Sequence, residues 1–209
     1  HKRISHIDVL INNAGGVFSS FTLSDDGIEK TFALNHLSYF LLTNLLLDII
    51  PSGSRIVNVS SDSHYRGRMD FESFRRNKSY NILKAYAQSK LANVLFTYEL
   101  ARRLQSKNIT VNALHPGRVK TQIGNKSGVW YHSFGWSLAK ALGSITTSES
   151  VKTYVYLAES DEEKNTTGQY FASSKAKKSS AVSYDKELAR KLWLVSEEMT
   201  RLDESVQKY

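Results

Sequence analysis

The chain has 209 residues, 41% of them hydrophobic, and 28 Lys and Arg against 20 Asp and Glu give a formal net charge of +8. That length and apolar content suit one domain over residues 1–209 with its own core and exclude a low-complexity or disordered chain. No cysteine occurs, which excludes disulfides, thiolate metal sites and cysteine nucleophiles and fits a reducing compartment, the cytoplasm or the cytosolic face of an internal membrane.

Residues 6–11 form a short apolar run ended by Asn12-Asn13-Ala14-Gly15-Gly16, the pattern of a buried strand stopped by a glycine turn. Ser24-Asp25-Asp26-Gly27 offers capping chemistry ahead of a helical pattern over residues 27–50, which Pro51-Ser52-Gly53 ends. Its apolar stretch is broken by Asn35, His36, Ser38, Thr43, Asn44 and Asp48, so a buried amphipathic helix is expected there rather than a membrane span. Residues 55–60 read as a second strand, and 61–81 as a polar, aromatic-rich connection. Leu91, Val94, Leu95, Leu100 and Leu104 then recur at helical spacing over residues 82–106. A β-branched run over 109–114 is the third strand, broken by His115-Pro116-Gly117.

The Gly- and aromatic-rich stretch 118–145, with Trp130, Tyr131, Phe134 and Trp136, has the mixed signals of a mobile lid. A helix over 148–159, a strand over 168–172 and a helix over 184–201 complete the chain. Lys175 to Lys178, flanked by serines, is expected as a solvated loop, and the basic residues are otherwise scattered, which argues against nucleic-acid binding. Near-continuous apolar strands alternating with helices predict a doubly wound α/β fold, a parallel sheet covered on both faces. Ligands of such sheets bind beyond the C-terminal strand ends.

Tyr86 and Lys90 are four apart in a helical segment, so they share a face and the ammonium lies near the phenol. A neighbouring cation stabilises phenolate and lowers the phenol's proton affinity, which lets a tyrosine exchange protons near neutral pH. That pair alone is a weak signal. It gains specificity from the order Asn12-Asn13-Ala14-Gly15, Val57-Asn58-Val59-Ser60-Ser61, Tyr86/Lys90 and Pro116-Gly117-Arg118-Val119-Lys120-Thr121, each motif following a strand or opening the next helix.

In these motifs the chain resembles the short-chain dehydrogenase/reductase family over nearly its whole length. The resemblance implies a Rossmann-type fold and NAD or NADP as cofactor. Tyr86 would be the general acid/base, Lys90 would tune it and bind the nicotinamide ribose, and Ser61 would hydrogen-bond the substrate oxygen. Asn35, in Ala33-Leu34-Asn35-His36, matches the asparagine that supports a water-linked relay to the lysine. Asn13, Ala14 and Gly15 would approach the adenosine-side ribose. Pro116 and Gly117 would turn the chain so that Val119 and Thr121 contact the carboxamide and phosphates. Residues 90–104 and the spacing from Ser61 to Tyr86 look like the branch of retinol dehydrogenases and WW-domain-containing oxidoreductases, implying retinoid-, steroid- or aldehyde-like substrates. The family's helices at 27–50 and 82–106 would build a homodimer.

The family's opening Thr-Gly-x-x-x-Gly-x-Gly loop is not found here, so the chain is expected to be the C-terminal portion of a seven-stranded sheet. Any membrane attachment would come through residues ahead of it. Two other classes compete: a catalytically silent regulatory or scaffold protein that keeps the fold, and a hydrolase using Ser63 and His64. No nucleophile elbow surrounds Ser63. No clustered ligand set accompanies His36 or His115, so no metal site is expected.

Overall fold

The structure, a computed structural model, describes residues 4–76, 79–117 and 147–202, with side chains from 150 onward in the last stretch. The lid stretch, with Trp130, Tyr131, Phe134 and Trp136, lies outside the described residues, as do Val119 and Thr121. Strands β1 (Val9–Asn12), β2 (Arg55–Val59), β3 (Thr110–His115) and β4 (Tyr170–Ala172) pair in chain order, all parallel. A fifth strand, β5 (Lys175–Ala176), pairs antiparallel with β4. The expected solvated loop at Lys175 is thus in part an edge strand. Its hairpin turn places Ser173 and Ser174 at φ +52° and +56°, the left-handed pair that a two-residue turn requires.

The expected helix over 27–50 begins later and is not uniform. Gly27 takes φ +74° in a turn, and Glu29 is the cap, its carboxylate accepting the Thr31 and Phe32 amides at 2.8 Å each. The segment then runs through α1 (Lys30–Phe32), a π turn (Ala33–Leu37), α2 (Ser38–Leu46) and a 3-10 turn (Leu47–Ile49). By length and composition Lys30–Ile49 could cross a membrane, yet half of it is buried inside the fold, as befits a core helix. Two 3-10 turns, Asp62–Arg66 and Phe71–Phe74, fold the polar connection ahead of α3 (Ile82–Arg103). Helix α4 spans Thr147–Glu159 and α5 spans Lys186–Thr200.

Alternation along the strands decides which layer each side chain joins. On β2, Ile56 joins a cluster with Tyr39, Phe40, Phe96, Leu100 and Trp193, whereas Val57 and Val59 pack with Leu157 of α4 on the other face. Helices therefore cover both faces, as the apolar strands predict. Helix α3 is buried without interruption from Ala87 to Ala101, because α5 lies across it from the same chain. Trp193 of α5 sits 4.9 Å from the Phe40 ring, and the Arg103 guanidinium stacks 3.9 Å from Trp193.

Gly67, just past the Asp62–Arg66 turn, lets that turn lie against α3. A Cβ there would fall 2.6 Å from the Ala87 carbonyl oxygen and 2.8 Å from Leu91 Cβ. Gly67→Ala is expected to cost about 2 kcal/mol through overpacking, read as a lower urea midpoint with an unchanged m-value.

Candidate active site

β1 ends at Asn12, and one side chain anchors the following loop at Gly16. Asn35, fully buried in the π turn, accepts the Gly16 amide at 2.8 Å and donates to the Gly16 carbonyl and Ser89 Oγ, both at 2.9 Å. A single irregular turn thus aims an amide that ties the loop, its own helix and α3 together; such turns often mark functional sites. Gly15 passes so close that a Cβ would sit 3.0 Å from Asn35 Oδ1 and 3.6 Å from Lys90 Nζ. Any larger residue would press on the Asn35 amide. Because the Asn35 amide is committed to these partners, a part in a water-linked relay would fall to its main chain.

The end of β2 separates the two adjacent serines. Ser60 is buried and donates to the Lys90 carbonyl at 2.7 Å, so its hydroxyl is spent on packing. Ser61 points the other way, accepts the Ser63 amide and donates to Ser63 Oγ, both at 3.2 Å, and lies near enough to the Tyr86 hydroxyl to draw its proton affinity down. Lys90 Nζ lies 5.7 Å from the Tyr86 ring centre and donates to the Val59 carbonyl at 3.1 Å. Ser61, Tyr86, Lys90, Asn35 and Gly15 are therefore drawn together.

The electrostatics differ from the expected lowering of the phenol by its cation. Burial pushes the Tyr86 phenol up, with Ser61 acting against it, while burial pushes Lys90 down to about 8. Lys90 is 3% exposed, and its ammonium is bonded to a carbonyl rather than to the phenol. Desolvation outweighs attraction in the chain alone, so near neutral pH the Tyr86 phenol keeps its proton.

Other expected residues fall around this centre. Asn13 Oδ1 accepts the Tyr154 hydroxyl of α4 at 2.9 Å, and Ala14 follows it in the exposed loop. Pro116 and Gly117 lie beyond β3, with Gly117 at φ +81°, a conformation that favours glycine. The Ser63/His64 alternative finds no support: His64 Nε2 accepts the Ser180 amide at 3.1 Å and Nδ1 donates to the Ser61 carbonyl at 2.7 Å. Both ring nitrogens are used by backbone, which fixes a neutral tautomer with no free base. His36 is likewise packed, between Asn93 Oδ1 at 3.3 Å and Ser196 Oγ at 2.9 Å.

The sequence reading missed Tyr39, Tyr154 and the Val59 carbonyl. Tyr39 follows Asn35 by four residues, a spacing that could have flagged it. No local signal marks Tyr154, which arrives from the other face of the sheet, and a main-chain carbonyl has no signature.

Lys90 carries a pH test. Its folded value of about 8 lies below the unfolded 10.5, so between them the unfolded chain binds more protons and stability rises with pH. Urea midpoints from about pH 7.5 to about pH 9.5 should climb relative to those of Lys90→Met, which lacks the titrating group. Higher pH is avoided because Tyr80 and Tyr154, both pushed up to about 12 mainly by burial, act in the opposite direction.

Residues 1–132, more than half of the chain, match the short chain dehydrogenase family. Retinol dehydrogenase 14 of Mus musculus is 43% identical over 201 residues, covering 92% of this chain and 59% of that protein. The chain spans about three fifths of the length of the curated relatives it matches. A crystal structure of a protein from Mycobacterium Paratuberculosis has a TM-score of 0.71 at 32% identity, covering 95% of this chain and 68% of that one. A blue fluorescent protein from a metagenomic library, in complex with NADPH, has a TM-score of 0.58 at 26% identity, covering 79% and 63% of the two chains. Matched over strands β1 to β3, the loop after β1 and the Tyr86/Lys90 helix, the chain belongs to the short-chain dehydrogenase/reductase family.

Proposed function

We propose that this chain is the proton-transfer portion of an NAD(P)-dependent oxidoreductase that interconverts an alcohol and a carbonyl on a lipophilic substrate. The observation that carries the reading is the Tyr86 ring 5.7 Å from a buried lysine ammonium, with Ser61 at its hydroxyl end. The name of the mouse relative supports a retinoid-like substrate, and the NADPH held by the blue fluorescent protein supports this cofactor class.

The residues fit a ribose-bearing nucleotide. Lys90 has three N–H donors, and Val59 is its one hydrogen-bond acceptor among the described residues. Its ammonium lies beside bare Gly15, where the backbone comes close to the ammonium without a side chain between them. Lys90, Tyr86, Asn13, Ala14, Gly15, Pro116 and Gly117 would hold the cofactor, with Val119 and Thr121. When bound, the nicotinamide supplies or accepts the hydride. Ser61 would orient the substrate oxygen, and Tyr86, kept protonated by burial, would donate its proton to that oxygen in reduction and take it back in oxidation. Lys90 would hold positive charge against the phenolate left behind.

Self-association also belongs to the proposal. Because α5 covers α3, a second copy would meet α2, where Leu42 and Leu45 are 47% and 56% exposed. The absence of cysteine supports a reducing compartment, the cytoplasm or the cytosolic face of an internal membrane.

The test is oxidation of NADPH and NADH by the full-length protein with a panel of lipophilic aldehydes and ketones. Tyr86→Phe should lower kcat by about 10²–10⁴-fold, while Ser63→Ala should leave it unchanged. Cofactor binding without turnover would point to a silent, regulatory member of the family, and absence of binding by the folded protein would sink the assignment.

A further inference from the structure

Behind the Ser61–Tyr86 pair lies a buried hydroxyl to which no role has been given. Tyr39 stands on α2 four residues beyond Asn35 and is 2% exposed. Its ring centre lies 5.9 Å from Lys90 Nζ, close to the 5.7 Å of Tyr86. Its hydroxyl has no hydrogen-bond partner among the described residues. Burial pushes the phenol up, and the Tyr154 and Tyr86 phenols add to that, so Tyr39 shares its dry surroundings with two other tyrosines while its ring, like that of Tyr86, lies beside the one ammonium. An orphaned hydroxyl in a dry core is costly, and packing alone would be served equally well by phenylalanine.

Resting on the function proposed above, we propose that Tyr39 is a positioning residue whose hydroxyl, together with the Lys90 ammonium, binds one shared hydroxyl-bearing ligand behind Tyr86. A ribose hydroxyl and an ordered water have the same chemistry there. Both would solvate an ammonium that has the Val59 carbonyl on its other side, and both would hold it in the orientation that supports the Tyr86 phenolate. A second orphan lies deeper: Asn12 Oδ1 is buried without a partner among the described residues, while its Nδ2 donates to Thr43 Oγ1 at 2.8 Å. Thr43 follows Tyr39 by one turn on the same face of α2. Buried waters typically answer such unsatisfied groups.

Tyr39→Phe removes only the hydroxyl, and an unchanged or higher Tm shows that packing survives. In this variant kcat should fall roughly tenfold, the loss of about one hydrogen bond at the reacting end. Two further readouts separate the sources. If the ligand is water, the alkaline rise in stability of the cofactor-free protein begins at lower pH, because Lys90 has lost a solvating partner, while the Kd for NADPH holds. If it is the ribose, the Kd rises and the cofactor-free pH profile stays put. A variant with unchanged kcat, or one in which neither the Kd nor the pH profile moves, overturns the proposal. Should the wild-type protein turn over no substrate, the oxidoreductase reading fails, and the cofactor-free profile with the Kd still judges Tyr39.

Discussion

A lysine held 3% exposed in a protein core is the constraint around which the rest is arranged. Such a charge persists only with oriented dipoles close by. Here the main-chain carbonyl of Val59, at the end of β2, accepts both Lys90 Nζ at 3.1 Å and Asn93 Nδ2 at 3.0 Å. Those two bonds set the register of α3 on the sheet. Ser60 returns a bond from the strand to the Lys90 carbonyl, which locks the helix from the opposite direction. With β2 and α3 fixed against each other, the next strand residue has one place to go, and Ser61 meets Tyr86.

The same seam continues away from the site as a ladder of uncharged polar groups. Asn12 and Asn58 are paired across β1 and β2, Asn58 donates to Thr97 Oγ1 at 3.0 Å, and Thr97 bonds back to the Asn93 carbonyl at 2.7 Å. Polar networks in a low-dielectric interior specify one arrangement, since a shifted register would leave several donors unmatched at once. Apolar contacts from Leu91, Leu95 and Leu100 supply the bulk of burial on α3, but they would tolerate sliding far better than the asparagines do. Position in this fold is set by amides, and cohesion by leucines.

How much of this could be read beforehand follows from the range over which each signal acts. The parallel strands were visible because β2 and β3 are nearly continuous apolar runs, and Tyr86 with Lys90 because helical periodicity alone brings them together. The start of the first helical segment was misplaced because Ser24 and Asp25 look like caps, whereas the buried Glu29 carboxylate holds the role. The hairpin to β5 escaped notice because Ser173-Ser174 adopts a left-handed pair of conformations usually written Asn-Gly. Choosing Ser61 over Ser60 needed a family pattern, since only the placement of α3 shows which hydroxyl is already engaged. The π turn at Asn35 has no sequence signature, because it arises from the tertiary bonds to Gly16 and Ser89.

Helix α5 gives the molecule an unusual dependence on order of synthesis. His36, one residue from Asn35, bonds Ser196 across 160 positions, and His64, three from Ser61, bonds the Ser180 amide across 116. Chains emerge from the ribosome at about 5–20 residues per second, so the β1–α3 portion waits for seconds with the flank of α3 uncovered. During that interval the apolar wall later filled by Trp193 and Leu192 faces water or a chaperone. Completion of these contacts is thus a late event in the order of synthesis, and nascent chains stalled before α5 are the ones most exposed to aggregation and proteolysis.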